Sequence, residues 1–156
     1  MTPAVRCLER ASTPYQLLTY RASSRRGSVG EEAARDLGLD PARVFKTLVV
    51  RSNTGSLALA IIPVKDALNL RRLARHLGVK TTDMASPAEA ERATGYRLGG
   101  ISPLATRRPL PTVVDEVALG LDTIYVSAGR RGLEIGLDPR DLIEATEATT
   151  APIRTT

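Results

Sequence analysis

Two apolar, β-branched runs, Val44–Arg51 and Leu57–Val64, flank the turn-forming triplet Asn53-Thr54-Gly55. That arrangement commits the middle of the chain to a β-hairpin. Helical and extended signals alternate around it. Thr2-Pro3 supplies an N-cap and a first-turn proline for a helix whose apolar face is Ala4, Val5 and Leu8, and Pro14 ends that unit. Tyr15–Tyr20 reads as a strand. Ser28-x-x-Glu31 is a capping-box pattern for a helix that Gly38 closes. Asn69 caps a helix running to Leu77, with Gly78 as its stop, and Ser86-Pro87-x-Glu89 starts another.

Past the glycine-rich stretch Gly95–Pro103, three short strands are predicted at Thr112–Asp115, Thr123–Ser127 and Gly132–Ile135. Asp138-Pro139 opens a last helix to about Ala145. Thr146–Thr156, rich in Thr and Ala, is expected to fray. A length of 156 residues suits one domain, here spanning 1–156. The expected fold is α+β, a single domain with a mixed central β-sheet flanked by helices. Aromatic residues are only 3%, so Ala, Val, Leu and Ile must build the core.

The net charge is +5, and much of the basic charge falls in clusters: Arg25–Arg26, Arg71–Arg72–Arg75, Arg107–Arg108 and Arg130–Arg131. Such clusters suit a polyanionic partner and equally an ordinary solvated surface. A lone cysteine, Cys7, excludes an intrachain disulfide and is read as buried and inert. No apolar run approaches 18 residues and no signal-peptide pattern is present, so the expected location is the cytoplasm, with no membrane partner.

The usual catalytic inventory is thin. The single histidine, His76, sits in a basic helix and reads as a surface residue. No Cys/His pair has metal-ligand spacing, so neither metal nor cofactor is expected. Lys46 is less ordinary. Alternation along its strand puts it on the face of Val44, Leu48 and Val50, where an amine must reach solvent, find a partner or shift its pKa. Only three of the 22 basic residues are lysines. The pattern leaves two readings of Lys46, a strand-end amine that reaches water and a functional cation. Gly99-Gly100 likewise reads as a plain turn or as backbone that approaches a ligand and offers it N–H donors. Between two later apolar strands, Ser127 and Glu134 flank a Gly/Arg turn, either as parts of a plain hairpin or beside a pocket.

Three motifs then stand in order: Phe45-Lys46-Thr47-Leu48; Thr94-Gly95-Tyr96 with Gly99-Gly100-Ile101-Ser102-Pro103; and Tyr125-Val126-Ser127-x-Gly129-x-Arg131-Gly132-Leu133. Together they resemble the YbaK family of trans-editing aminoacyl-tRNA deacylases, related to the editing domain of prolyl-tRNA synthetase. The resemblance runs from Thr2 to about Leu142. It implies hydrolysis of Cys-tRNA(Pro), a YbaK/prolyl-tRNA synthetase-associated domain fold, and mischarged tRNA(Pro) and prolyl-tRNA synthetase as partners. It assigns Lys46 and the backbone of Gly99, Gly100 and Ile101 to the catalytic site. Tyr20, Phe45, Thr47, Ser102, Ser127 and Glu134 would form the substrate pocket, with Glu134 in a position where some relatives carry aspartate. It also implies that the substrate's own thiol attacks the ester. The competing expectations are a deacylase for alanine or another small residue, and a non-catalytic module that binds tRNA or the synthetase.

Overall fold

A computed structural model describes residues 1–21 and 29–155. Helix α1 (Pro3–Arg10) follows its Thr2 cap, and strand β1 (Gln16–Thr19) comes next. Helix α2 (Val29–Leu37) ends at Gly38, which has positive φ; Ser28 of the expected capping box lies outside the described residues. The hairpin is β2 (Phe45–Ser52) and β3 (Leu57–Pro63), followed by the short β4 (Ala67–Leu68). Helix α3 (Leu70–Leu77) runs from the Asn69 cap to a left-handed Gly78, and β5 (Thr82–Met84) follows. Helix α4 (Pro87–Thr94) carries the complete Ser86/Glu89 capping box. Strand β6 (Thr112–Asp115), a 3-10 turn (Glu116–Gly120), β7 (Ile124–Ser127), β8 (Leu133–Leu137) and helix α5 (Pro139–Thr146) come next. The chain closes with β9 (Thr149–Ala151) and β10 (Arg154–Thr155).

Five strands form the mixed central sheet in the order β5-β2-β3-β6-β9. The first three pair antiparallel, while β6 runs parallel to both β3 and β9. A second sheet, β1-β8-β7, is antiparallel. The α+β architecture expected from the sequence is therefore the one formed. Both faces of the hairpin are covered. On one face, Phe45 and Ile61 join Ala4, Val5 and Leu8 of α1 and Ile124, Val126 and Ile135 of the second sheet in the main core. On the other, Val50, Ala60 and Ile62 pack under Leu73 of α3. Truncating a core leucine such as Leu8 to alanine costs about 2–5 kcal/mol.

The expected frayed tail, Thr146–Thr156, is corrected by the structure. Strand β9 extends the central sheet, β10 pairs with β4, and Ile153 between them is fully buried. Asp115 Oδ2 accepts the backbone N–H groups of Ile153 (3.0 Å) and Arg154 (2.8 Å). The Arg154 guanidinium lies 2.9 Å from Asp66 and 3.5 Å from Asp115. Threonine suits a pleated strand, and two distant carboxylates anchor a segment whose own composition carries little signal. Cys7 departs from expectation more mildly, being half-buried. His76 is on the surface, its Nε2 2.8 Å from Thr149 Oγ1. Among the described residues, no helix is long and apolar enough to cross a membrane.

Candidate active site

The site begins with a length of strand edge that is unpaired among the described residues. Outward of β2, β5 pairs only with Val50–Ser52, and β7 meets the strand only through the Val44–Tyr125 bridge. The Val64 N–H bonds to the Val44 carbonyl at 2.8 Å. That contact sets the alternation of the antiparallel ladder, so Thr47 turns its backbone N–H and C=O away from β3, toward the open edge. A cleft of about 220 Å³ wraps this edge. Phe45 and Thr47 line it from one face of β2, Lys46 and Leu48 from the other; Gly99 and Ile101 form one wall and Ser127 and Glu134 another. Seven of these eight residues are the lysine, loop and pocket residues expected from the sequence, joined by Leu48 from the same motif. A larger hollow, about 480 Å³, lies between the Pro103–Thr112 segment and the end of α5 and contains none of them.

Lys46 is half-buried and makes no ion pair among the described residues. Its ammonium is a cation within the cleft that the fold does not neutralise. Glu134 lies on the central strand of the second sheet, opposite Leu18 on β1 and Ser127 on β7. It is 3% exposed, and its Oε2 has no hydrogen-bond partner. Burial drives its carboxyl from 4.5 up to about 8, so the neutral acid predominates at pH 7. Thr47 Oγ1 is a second buried polar atom without a partner. Two unsatisfied polar groups on one small cleft are a costly arrangement unless something enters to meet them. Ser127 Oγ instead accepts the Gly129 N–H at 3.1 Å.

Tyr20 is buried just behind this wall rather than lining the cleft. Its N–H bonds to the Gly132 carbonyl at 2.9 Å. Burial pushes its phenol up, and the charges of Glu134 and Glu32 add to the rise, against a backbone hydrogen bond at Gly132 and the Arg131 charge.

The glycine loop divides into distinct parts. Gly99 has φ +90° and borders the cleft with Ile101. Gly100 does not border it, and its N–H is already given to the Arg97 carbonyl at 2.9 Å. A Cβ there would sit 2.8 Å from Arg131 N and 2.9 Å from Arg130 Cα. Gly100 therefore lets the loop seat against the β7–β8 turn, and the donors left for a ligand are the amides on either side. Ser102 is also away from the cleft; it is fully buried, and its Oγ accepts the Leu104 N–H at 3.2 Å. Tyr96 bonds the Leu104 carbonyl at 2.6 Å, which fixes the same bend.

Sequence reasoning missed Gly30, whose missing side chain lets α2 approach the cleft: a Cβ there would collide with Val64. It also missed Glu32, buried on α2 and 3.1 Å from Arg131 of the β7–β8 turn. A glycine and a glutamate in a helix carry no local signal of either contact. Among the described residues, no three or more His, Cys, Asp or Glu side chains gather to hold a metal.

Residues 27–145 match the aminoacyl-tRNA editing domain family. An Enterococcus faecalis protein, provisionally named a Cys-tRNA(Pro)/Cys-tRNA(Cys) deacylase, is 36% identical over 99% of this chain and 93% of its own length. The Escherichia coli K12 multifunctional Ser/Thr-tRNA deacylase is 25% identical over 96% of this chain and 89% of its own. A crystal structure provisionally described as a trans-editing enzyme for prolyl-tRNA synthetase superposes with a TM-score of 0.85 at 26% identity, covering 100% of this chain and 99% of the other. The chain belongs to the aminoacyl-tRNA editing domain family, and its activity is aminoacyl-tRNA deacylation.

Proposed function

We propose that the preferred substrate is Cys-tRNA(Pro), hydrolysed through attack by the substrate's own thiol. The observation that carries this reading is the composition of the cleft. It holds a cation, backbone donors and a neutral acid, but no nucleophile paired with a base among its lining residues. The lone thiol is on α1 and the lone imidazole is engaged with Thr149, and neither is among the residues that line the cleft.

In the proposed reaction the cysteinyl sulfur bonds to the ester carbonyl carbon, and the carbon–oxygen bond to the terminal ribose breaks. The thiol proton passes to the departing ribose oxygen, leaving a thiolactone that water opens to free cysteine. The amides of Gly99 and Ile101 stabilise the oxyanion on the carbonyl; loss of one such donor typically costs about 10²–10³ in rate. Lys46 anchors the tRNA 3′ end through phosphate or ribose. Glu134 and Thr47 offer their unpartnered oxygens to the amino-acid end, with Ser127 beside them and Tyr20 supporting Glu134 from behind.

The 36% identical relative supports cysteine, and the more distant Ser/Thr deacylase keeps other small residues in contention. Prolyl-tRNA synthetase, the source of such mischarging, would be a partner in the cytoplasm. One single-turnover panel tests the reading: Cys-, Ala-, Ser- and Pro-charged tRNA(Pro) at equal concentration. Cys-tRNA(Pro) is expected to be cleared fastest. Equal or faster clearance of the serine ester removes the thiol from the mechanism, because a hydroxyl is the poorer nucleophile.

A further inference from the structure

Helix α3 is charged on one side only. Its buried stripe is Leu70, Leu73, Ala74 and Leu77, packed on the sheet face of Val50, Ala60 and Ile62. At 100° per residue, Arg71, Arg72 and Arg75 fall on the opposite side. All three are exposed, and none makes an ion pair among the described residues. The nearest carboxylates do not neutralise them. Asp115 is engaged by Arg154 and by three backbone N–H groups, and Glu116, which shares a shallow hollow with Arg72, lies beyond 4 Å of it. His76 on the same side is held by Thr149.

Helix α3 packs on the same sheet whose edge carries the cleft. Leu48 lines the cleft and also packs in the apolar cluster that seats Leu70 and Leu77 of α3. Lys46, two residues along β2, is on the same sheet face as Leu48. Helix α3 covers the sheet face that carries Leu48 and Lys46, and Arg72 and Arg75 border shallow hollows with Pro152 toward the β9–β10 end of that face.

We propose that Arg71, Arg72 and Arg75 form a docking surface for RNA backbone phosphates, holding the duplex of the substrate while its aminoacylated 3′ end enters the cleft. From Arg71 to Arg75 the helix rises about 6 Å, so the three side chains leave one face close together. Three exposed guanidinium groups close together on one face complement a polyphosphate backbone in charge, and Arg suits phosphate through its bidentate fork. The inference rests on the reading that the substrate is a tRNA ester, and the test separates the two.

The test compares wild type with R71Q/R72Q/R75Q on a full mischarged tRNA and on the same aminoacyl ester of the terminal adenosine alone, which is too short to reach α3. Each phosphate contact contributes about 0.9 to the slope of log affinity against log salt, so three contacts amount to about forty-fold between 50 and 200 mM. Over that range, kcat/KM of wild type on full tRNA is expected to fall about forty-fold more than that of the variant, with the short ester turned over equally by both. Fluorescence anisotropy with uncharged tRNA reads the same loss without chemistry. An enzyme that binds tRNA through these arginines yet hydrolyses no ester overturns the substrate reading and leaves the docking face standing. Equal salt slopes and equal tRNA affinity in the two proteins overturn the docking face, as does an equal loss on both substrates. Arg75→Gln alone, expected to shift the slope by about 0.9, provides the same reading if the triple variant does not fold.

Discussion

Glu134 stands opposite Ser127 in the β7–β8 ladder, yet its Oε2 bonds to nothing in the fold. Its carboxyl is therefore buried unsatisfied, at a cost in stability that depends on pH. The folded value is about 8 against an ordinary 4.5, so the folded state keeps a proton that the unfolded chain has lost between those limits. Stability contributed by the neutral group is complete below about pH 4.5. It declines as pH rises toward 8, by at most about 1.4 kcal/mol per pH unit. Glu134→Gln removes the titration. Thermal denaturation at pH 5, 7 and 9 is expected to give similar Tm values for the two proteins at pH 5 and a higher Tm for the variant at pH 9. Parallel Tm–pH curves would show that the carboxyl is not held neutral.

Lys46→Ala tests the cation in the cleft. The side chain is half-buried and pairs with no carboxylate, so its loss leaves no orphaned partner in the protein. Stability should change by less than about 1 kcal/mol. A charge-assisted hydrogen bond to substrate is worth about 1.5–3 kcal/mol, so single-turnover deacylation should slow by about 10- to 100-fold. An unchanged rate would place Lys46 outside the working site.

How much of this was legible beforehand follows from how local each signal is. The α3 cap and stop are visible because Asn69 and Gly78 act on neighbours a few residues away: Asn69 Oδ1 accepts the Arg72 N–H at 3.0 Å. The same is true of the Ser86/Glu89 box and of the hairpin turn. Lys46 could be flagged from strand alternation, but its isolation from carboxylates depends on how three other elements close around β2. The contrast between Gly99 and Gly100 was illegible, because it is set by contact with the Arg130–Arg131 backbone, some thirty residues on. Ser102 resembled a pocket residue by proximity to that loop and instead holds a turn.

Gly100→Ala should behave as a packing mutant. The added Cβ would meet backbone atoms of Arg130 and Arg131 at 2.8–3.0 Å, and backbone yields less readily than a side-chain tip. Overpacking of this kind costs about 1–3 kcal/mol. The loop would also shift, moving the amides of Gly99 and Ile101 that border the cleft. A lowered Tm together with reduced deacylation is expected. Full activity with a lowered Tm would show that the loop's backbone does not contact the ester.

Arg154→Ala probes the segment that composition alone marked as loose. The guanidinium reaches Asp66 and Asp115, whose side chains are only 4% and 2% exposed. Removing it strands two buried carboxylates. Breaking a buried pair costs about 3–5 kcal/mol, and the partial exposure of Arg154, 27%, points to the lower end. Asp115 keeps its backbone donors from Val117, Ile153 and Arg154, whereas Asp66 keeps only a 3.7 Å contact with exposed Lys65. Asp66→Asn in the Arg154→Ala background should therefore recover part of the loss. For a domain of this size each kcal/mol corresponds to about 2–4 °C, so Tm should fall by about 6–12 °C and rise again in the double variant. A Tm within 1 °C of wild type would return the segment after α5 to the status of a loose tail.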